Sequence, residues 1–136
     1  VEEKGSEIYK ATTLHNFSMY LEGNWYSLAA KKQLINNNNP VECLDAAILS
    51  AHILSPVLNI HDLKTDKRIS FVAGTKRMEE LKQRVDSGKA KAAFGLYPAT
   101  MQQIKNIADT NNIMPPKTTY VEPKMRSGLV IYSLAD

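Results

Sequence analysis

Apolar and polar positions alternate through FSMYLEGNWYSLAA, residues 17–30. Aromatic and apolar side chains flank Glu22-Gly23-Asn24, a turn-forming cluster, so the stretch predicts a β-hairpin. Trp25 and Tyr26 suit a sheet, where large rings pack across strands. Residues 1–13 are polar and predict only a short strand around Glu7–Ala11. After the loop NNNN (36–39), Asn39 is placed to cap a helix. Pro40 fits the first helical position, and Glu42 sits three residues after the cap. The predicted helix runs from Pro40 to Leu54. Leu44, Ala47, Ile48, Ala51, Ile53 and Leu54 leave it a narrow polar stripe, the pattern of a centrally buried helix, and Pro56 ends it.

NIHDLKTDK (59–67) reads as a polar loop, and RISFVA (68–73) as a strand with Ile69, Phe71 and Ala73 alternating. Gly74 and Thr75 break it. A helix follows to Asp86 with Met78, Leu81 and Val85 on one face, and Gly88 ends it. AKAAFGLY (90–97) predicts the next strand. Thr100 and Gln103 form a T-x-x-Q capping box for a helix whose inner face carries Met101, Ile104, Ile107 and Ala108. GLVIYSL (128–134) reads as a buried closing strand. Strand–helix–strand order favours parallel pairing with right-handed crossovers. The expected fold is therefore α+β, a mixed α/β arrangement. It has a mixed sheet with an N-terminal hairpin, βαβ-type units and helices packed on the sheet, in one domain spanning 1–136.

Composition narrows the class. A chain of 136 residues, 43% hydrophobic and 23% charged, has room for one real core. No run approaches the roughly 20 apolar residues that span a bilayer, so no membrane partner is expected. The first residue is Val, which leads us to expect a C-terminal fragment of a longer protein. The single cysteine, Cys43, precludes an internal disulfide framework and fits a reducing compartment, so a cytoplasmic location is expected. Net charge is +3, too mild to require nucleic acid. The charge is uneven, however: residues 64–91 hold nine Lys or Arg against four acids. A solvated helix face accounts for that cluster; a nucleic-acid-binding module is the alternative.

Candidate chemistry is sparse. His15, His52, His61 and Cys43 show no metal-ligand spacing, and no metal or cofactor is expected. His52 reads as a polar-stripe or core residue and Cys43 as a small buried hydrophobe. There is no G-x-S-x-G, and the neighbours His61 and Asp62 should point apart. Asp62 and Asp66 lack the calcium-hand pattern. RISFVAGT offers one glycine before a helix, far short of a P-loop, and Thr75 reads as a helix cap.

MPPKTTYVEP (114–123) is different. Pro115 and Pro116 fix φ, bias Met114 and Pro115 toward extended backbone and remove two donors, which makes a stiff loop ill-suited to a central strand. Beyond it, period-two geometry places Thr118, Tyr120, Glu122 and Lys124 on one face. Lys117, Lys124 and Arg126 add three cations within ten residues. Cations and hydroxyls on a stiff support suit a phosphate or carboxylate. The same residues also fit an edge segment shaped by its prolines and threonines, with the lysines in solvent.

VECLDAAIL, DKRISFVAGT, VDSGKAKAAFGLYPATM, IADTNNIMPPKTTY and EPKMRSGLVIYSL together resemble the carboxy-terminal region of a bacterial family, the domain-of-unknown-function family 1015. Its signature resembles M-P-P-K-S-T-Y/W-F-x-P-K followed by S-G-L. Here it reads Met114-Pro115-Pro116-Lys117-Thr118-Thr119-Tyr120-Val121-Glu122-Pro123-Lys124, then Ser127-Gly128-Leu129. The resemblance covers about Tyr20 to Leu134. Thr118 replaces the usual Ser and keeps the hydroxyl. Val121 replaces an aromatic, and Ala73 a glycine.

The resemblance implies a longer chain, a neighbourhood of serine-biosynthesis genes and a grouping with ParB-like and sulfiredoxin-like folds. The expectation is a cytoplasmic bacterial protein that binds a small anionic ligand through Lys117, Thr118, Thr119, Tyr120, Lys124 and Arg126. The site would be completed by an N-terminal region of the same chain. A docking or dimerisation domain is the alternative. Spacing alone assigns no catalytic residue.

Overall fold

The computed structural model describes residues 1–72 and 78–115. Among the described residues, four strands form one sheet in the order β1-β3-β2-β4: β1 (Glu2–Gly5), β2 (Asn16–Leu21), β3 (Asn24–Ala29) and β4 (Ala92–Leu96). Every pairing among them is antiparallel. With the three α-helices of the described residues, α1 (Asp45–Leu49), α2 (Met78–Asp86) and α3 (Met101–Asp109), the architecture is α+β.

The hairpin forms where alternation and turn chemistry agree. Its turn is tighter than the sequence suggested, because Asn24 already pairs with Leu21 in the ladder. Glu22 (φ 49) and Gly23 (φ 86) both adopt positive φ, the turn whose twist matches the flanking strands. Phe17, Met19 and Leu28 lie on one face of the sheet. There Phe17 and Leu28 join Ile48, Leu49, Leu54 and Ile60 in the core, with Met19 and Phe94 packed against it. Ser18, Tyr20 and Trp25 lie on the opposite face, where α2 sits. Met78 reaches toward Gly95, and Lys82 and Asp86 reach Tyr20. Helices therefore cover both faces of the central strands, which is why β2 buries neighbours as well as alternate residues.

Several expectations are corrected. The first strand is Glu2–Gly5, not Glu7–Ala11: Glu2–Gly5 takes the free edge of β3, with a register shift at Lys4. Residues 7–11 cross the α2 face through side-chain bonds instead, Tyr9 Oη to Ser27 Oγ (3.0 Å) and Ala11 N to Ser18 Oγ (2.8 Å). The cap at Asn39 is present, its Oδ1 accepting from Val41 N and Glu42 N. It starts a turn rather than the helix, because Leu44 is extended (ψ 141) as it enters the core. Regular helix begins at Asp45 and widens into a π-helical turn over Ser50–Leu54. Ala51 faces solvent, so the helix is less enveloped than its composition implied.

Residues 68–72 form no strand. Asp66 and the carbonyls of Leu58 and Asn59 capture Arg68 and bend the chain there. Strand β4 pairs antiparallel with β2, so the described residues contain no parallel βαβ unit. Ala73, Gly74, Thr75 and the segment GLVIYSL lie outside the described residues. On α3 the buried stripe is narrow: Ile107 is 2% exposed, whereas Met101 is 79% exposed and Ala108 also faces solvent. Cys43 is only half-buried, and burial pushes its thiol up. Among the described residues no helix is long and apolar enough to cross a membrane.

Candidate functional site

The segment singled out for chemistry begins where α3 ends. The capping box at its start is complete: Gln103 N donates to Thr100 Oγ1 (3.2 Å), and Thr100 N donates to Gln103 Oε1 (3.0 Å). At its far end Asn111 takes positive φ (54). Asn111 N donates to Ala108 O (3.1 Å) and Asn112 N to Ile107 O (3.0 Å). This pair of bonds is a Schellman closure with Asn in the left-handed position. Buried Ile107 anchors the same turn, so the direction in which the chain leaves α3 is fixed by hydrogen bonds and packing. Met114 and Pro115, both half-buried, follow the exposed Ile113. Lys117, Thr118, Thr119, Tyr120, Lys124 and Arg126 lie outside the described residues.

Three other constellations were not foreseen as sites. Tyr20, fully buried, donates through Oη to Asp86 Oδ1 (2.7 Å) and accepts from Lys82 Nζ (2.8 Å), while Lys82 reaches Asp86 Oδ2 (2.6 Å). The hydrogen bonds from Lys82 and then Tyr20 lower the Asp86 carboxyl, and Asp86 in turn raises Lys82. Every group in this triad is satisfied, so it clamps α2 to β2. The second is Asp45, 6% exposed, whose carboxylate accepts from His15 N (3.0 and 3.1 Å) and contacts His15 Nδ1 (2.9 Å). Burial pushes its carboxyl up, against the opposing pull of these bonds. The pair pins the loop before β2, where His15 has φ 64, to the start of α1.

The third constellation is local. Ser55 Oγ lies 2.7 Å from His61 Nδ1, and His61 Nε2 lies 2.7 Å from Asn59 Oδ1. An amide oxygen only accepts, so in the neutral ring Nε2–H faces Asn59 Oδ1 and the Nδ1 lone pair faces the Ser55 hydroxyl. Asn59 has positive φ (53). Its carbonyl accepts from Arg68 Nη2 (2.6 Å), and that guanidinium is held by Asp66. The Arg68 hydrogen bonds bring the Asp66 carboxyl down to about 2. Asp62 turns away from His61, accepting from Lys64 N and Thr65 Oγ1, as expected of adjacent side chains.

Sequence spacing hid the first two constellations because their partners are 62, 66 and 30 positions apart. The third was within reach: Ser55, Asn59 and His61 fall inside seven residues, although Asp62, the more conspicuous neighbour of His61, takes no part.

Among the described residues, no group of three or more His, Cys, Asp or Glu is placed to hold a metal. An open hollow beside the hairpin turn, lined by Leu21, Glu22, Val85, Gly88, Ala90 and Lys91, brings together only one acid and one base. Of the nine cations in 64–91, Arg68, Lys82 and Arg84 are already paired, with Asp66, Asp86 and Glu80 respectively. No protein-family model, no curated protein and no solved structure matches the chain.

Proposed function

We propose that residues 117–126 bind a small ligand bearing a phosphate or carboxylate. The observation that carries this reading is the density of complementary groups in the sequence: three cations and three hydroxyls in ten residues, opposed by Glu122 alone. Lys117 and Lys124 supply charge, Thr118, Thr119 and Tyr120 donate hydrogen bonds, and Arg126 clamps two oxygens at once. Pro115 and Pro116 restrict the approach, which lowers the entropy lost on binding. The hydrogen-bonded close of α3 at Asn111 and Asn112 supports the same reading, since the candidate segment starts a few residues beyond a defined helix end.

The resemblance to family 1015 lends further support, because its signature runs through the same residues. On this reading the protein works in the bacterial cytoplasm, and a preceding region of a longer chain completes the site.

The test is a thermal-shift series with phosphoserine and nucleotides on the protein and on the double variant Lys117→Ala/Lys124→Ala. A ligand that binds only the folded state at a hundred times its Kd stabilises by about 2.7 kcal/mol. The expected result is a rise in Tm that the double variant loses. A rise that survives moves the site elsewhere. No rise with any of these anions overturns the reading in favour of a docking or dimerisation domain.

A further inference from the structure

We infer that Ser55 is an activated nucleophile, with His61 as its general base and Asn59 as the residue that positions the base. This is independent of the anion-binding reading, since none of the three residues belongs to 117–126. Nucleophilic serines are recognised by such a relay: the hydroxyl within hydrogen-bond reach of a base, and the base oriented by a third group. Both contacts here are 2.7 Å. The amide acceptor on Nε2 fixes the one tautomer that leaves Nδ1 free to take the serine proton.

Two departures from regular backbone converge to build it. The helix after Leu49 widens into a π-helical turn, and Ser55 N donates to Ser50 O (2.9 Å) across that wider ring. Such turns are rare and often mark functional sites. Asn59 holds positive φ, which Asn tolerates better than most residues. Ile60 N donates to Leu54 O (2.8 Å), and buried Ile60 seats the loop in the core directly beside His61. Arg68, fixed by Asp66, holds the carbonyls of Leu58 and Asn59 from outside. The relay is therefore supported from beneath by packing and from the side by a guanidinium. Its reacting edge lies at the surface, with His61 and Asn59 exposed.

A Ser–His pair suits a carboxylic ester, whose alcohol is an easier leaving group than an amine, and the open edge admits an acyl group carried on a larger molecule. Ser55 Oγ attacks the acyl carbon as its proton passes to His61 Nδ1. The bond to the leaving alcohol breaks, and that oxygen takes the proton back from Nδ1. Water then attacks the acyl-serine, giving its proton to Nδ1, which returns it to Ser55 Oγ as the acid departs.

The test is time-resolved labelling with an alkyl fluorophosphonate, in which the Oγ–P bond forms, fluoride leaves and the proton passes to His61. The site is mapped by peptide mass. A single adduct on Ser55 is expected, absent in Ser55→Ala. General-base assistance accelerates attack by about 10²–10⁴-fold, so His61→Gln should label about 100-fold more slowly or worse. Asn59→Gly keeps the left-handed backbone and removes only the acceptor, so it should slow labelling. Asn59→Asp, which restores an acceptor, should recover it, whereas a merely structural role would leave both rates unchanged. No adduct at Ser55 in the unmodified protein, or equal rates with and without His61, would overturn the inference.

Discussion

Ser18→Ala is the sharpest probe of the two-sided sheet. Ser18 is 1% exposed, and its Oγ is the acceptor for the backbone N–H of Ala11, itself 3% exposed, at 2.8 Å. Removing the oxygen leaves a buried donor unsatisfied, which costs about 1–3 kcal/mol. Deleting a buried hydroxyl recovers part of that, so the net loss should be about 1.5–2 kcal/mol. An unfolding entropy of roughly 2.1 cal/mol/K per residue converts this to a fall of about 5–7 °C in Tm. Denaturant unfolding gives the free energy, and amide hydrogen exchange reports the Ala11 N–H directly. It should be protected in the parent protein and exchange faster in the variant. A loss below about 0.5 kcal/mol with Ala11 still protected would refute the reasoning, because some other acceptor would then be holding residues 7–11 across the α2 face.

Other expectations follow from the same geometry. The Asp66 carboxyl is held at about 2 by Arg68, below its ordinary 3.8. Its stabilisation is therefore present above pH 3.8 and is lost as pH falls through about 2. Asp45 has the opposite sign: burial raises its carboxyl, so its contribution to stability weakens as pH rises above 3.8. Carboxyl NMR titration should place the two on opposite sides of that value. Thr100→Ala removes one half of the capping box and should cost about 1 kcal/mol in denaturant unfolding. A methyl group added at Gly95 would lie 2.8 Å from Met78 Cε. Because that contact is the end of an unbranched side chain, Gly95→Ala should cost less than about 1 kcal/mol by the same assay, below the usual range for overpacking.

Where local chemistry and tertiary demand coincide, the sequence is a good guide. The hairpin of residues 16–29, the Thr100–Gln103 box and the close of α2 at Gly88 (φ 74) were all legible. Each is decided by side chains within a few positions of one another. Where a distant partner intervenes, the pattern misleads. Leu44 is drawn into the core and delays α1 past a sound cap. Arg68 is captured by Asp66 and two carbonyls, which turns an alternating stretch into a bend. Antiparallel pairing of β4 with β2 is equally nonlocal, since element order favours parallel pairing but the hairpin edge was open. The candidate sites divide the same way. The cations of 117–126 stand out as composition, whereas the clamp of Tyr20 by Lys82 and Asp86 exists only once α2 lies on the sheet. The residue types of the Ser55 relay lie within seven positions and were within reach, but the π-helical turn that brings them together is announced by no periodicity.

The central claim is that residues 117–126 recognise an anion. Calorimetric titration with phosphoserine and, in parallel, with serine tests it most directly, since the two ligands differ only in the phosphate. Measurable heat of binding for phosphoserine, none for serine, and loss of the phosphoserine signal in Lys117→Ala/Lys124→Ala are the predicted results. Equal binding of the two ligands, or phosphoserine binding that survives removal of both lysines, would contradict it.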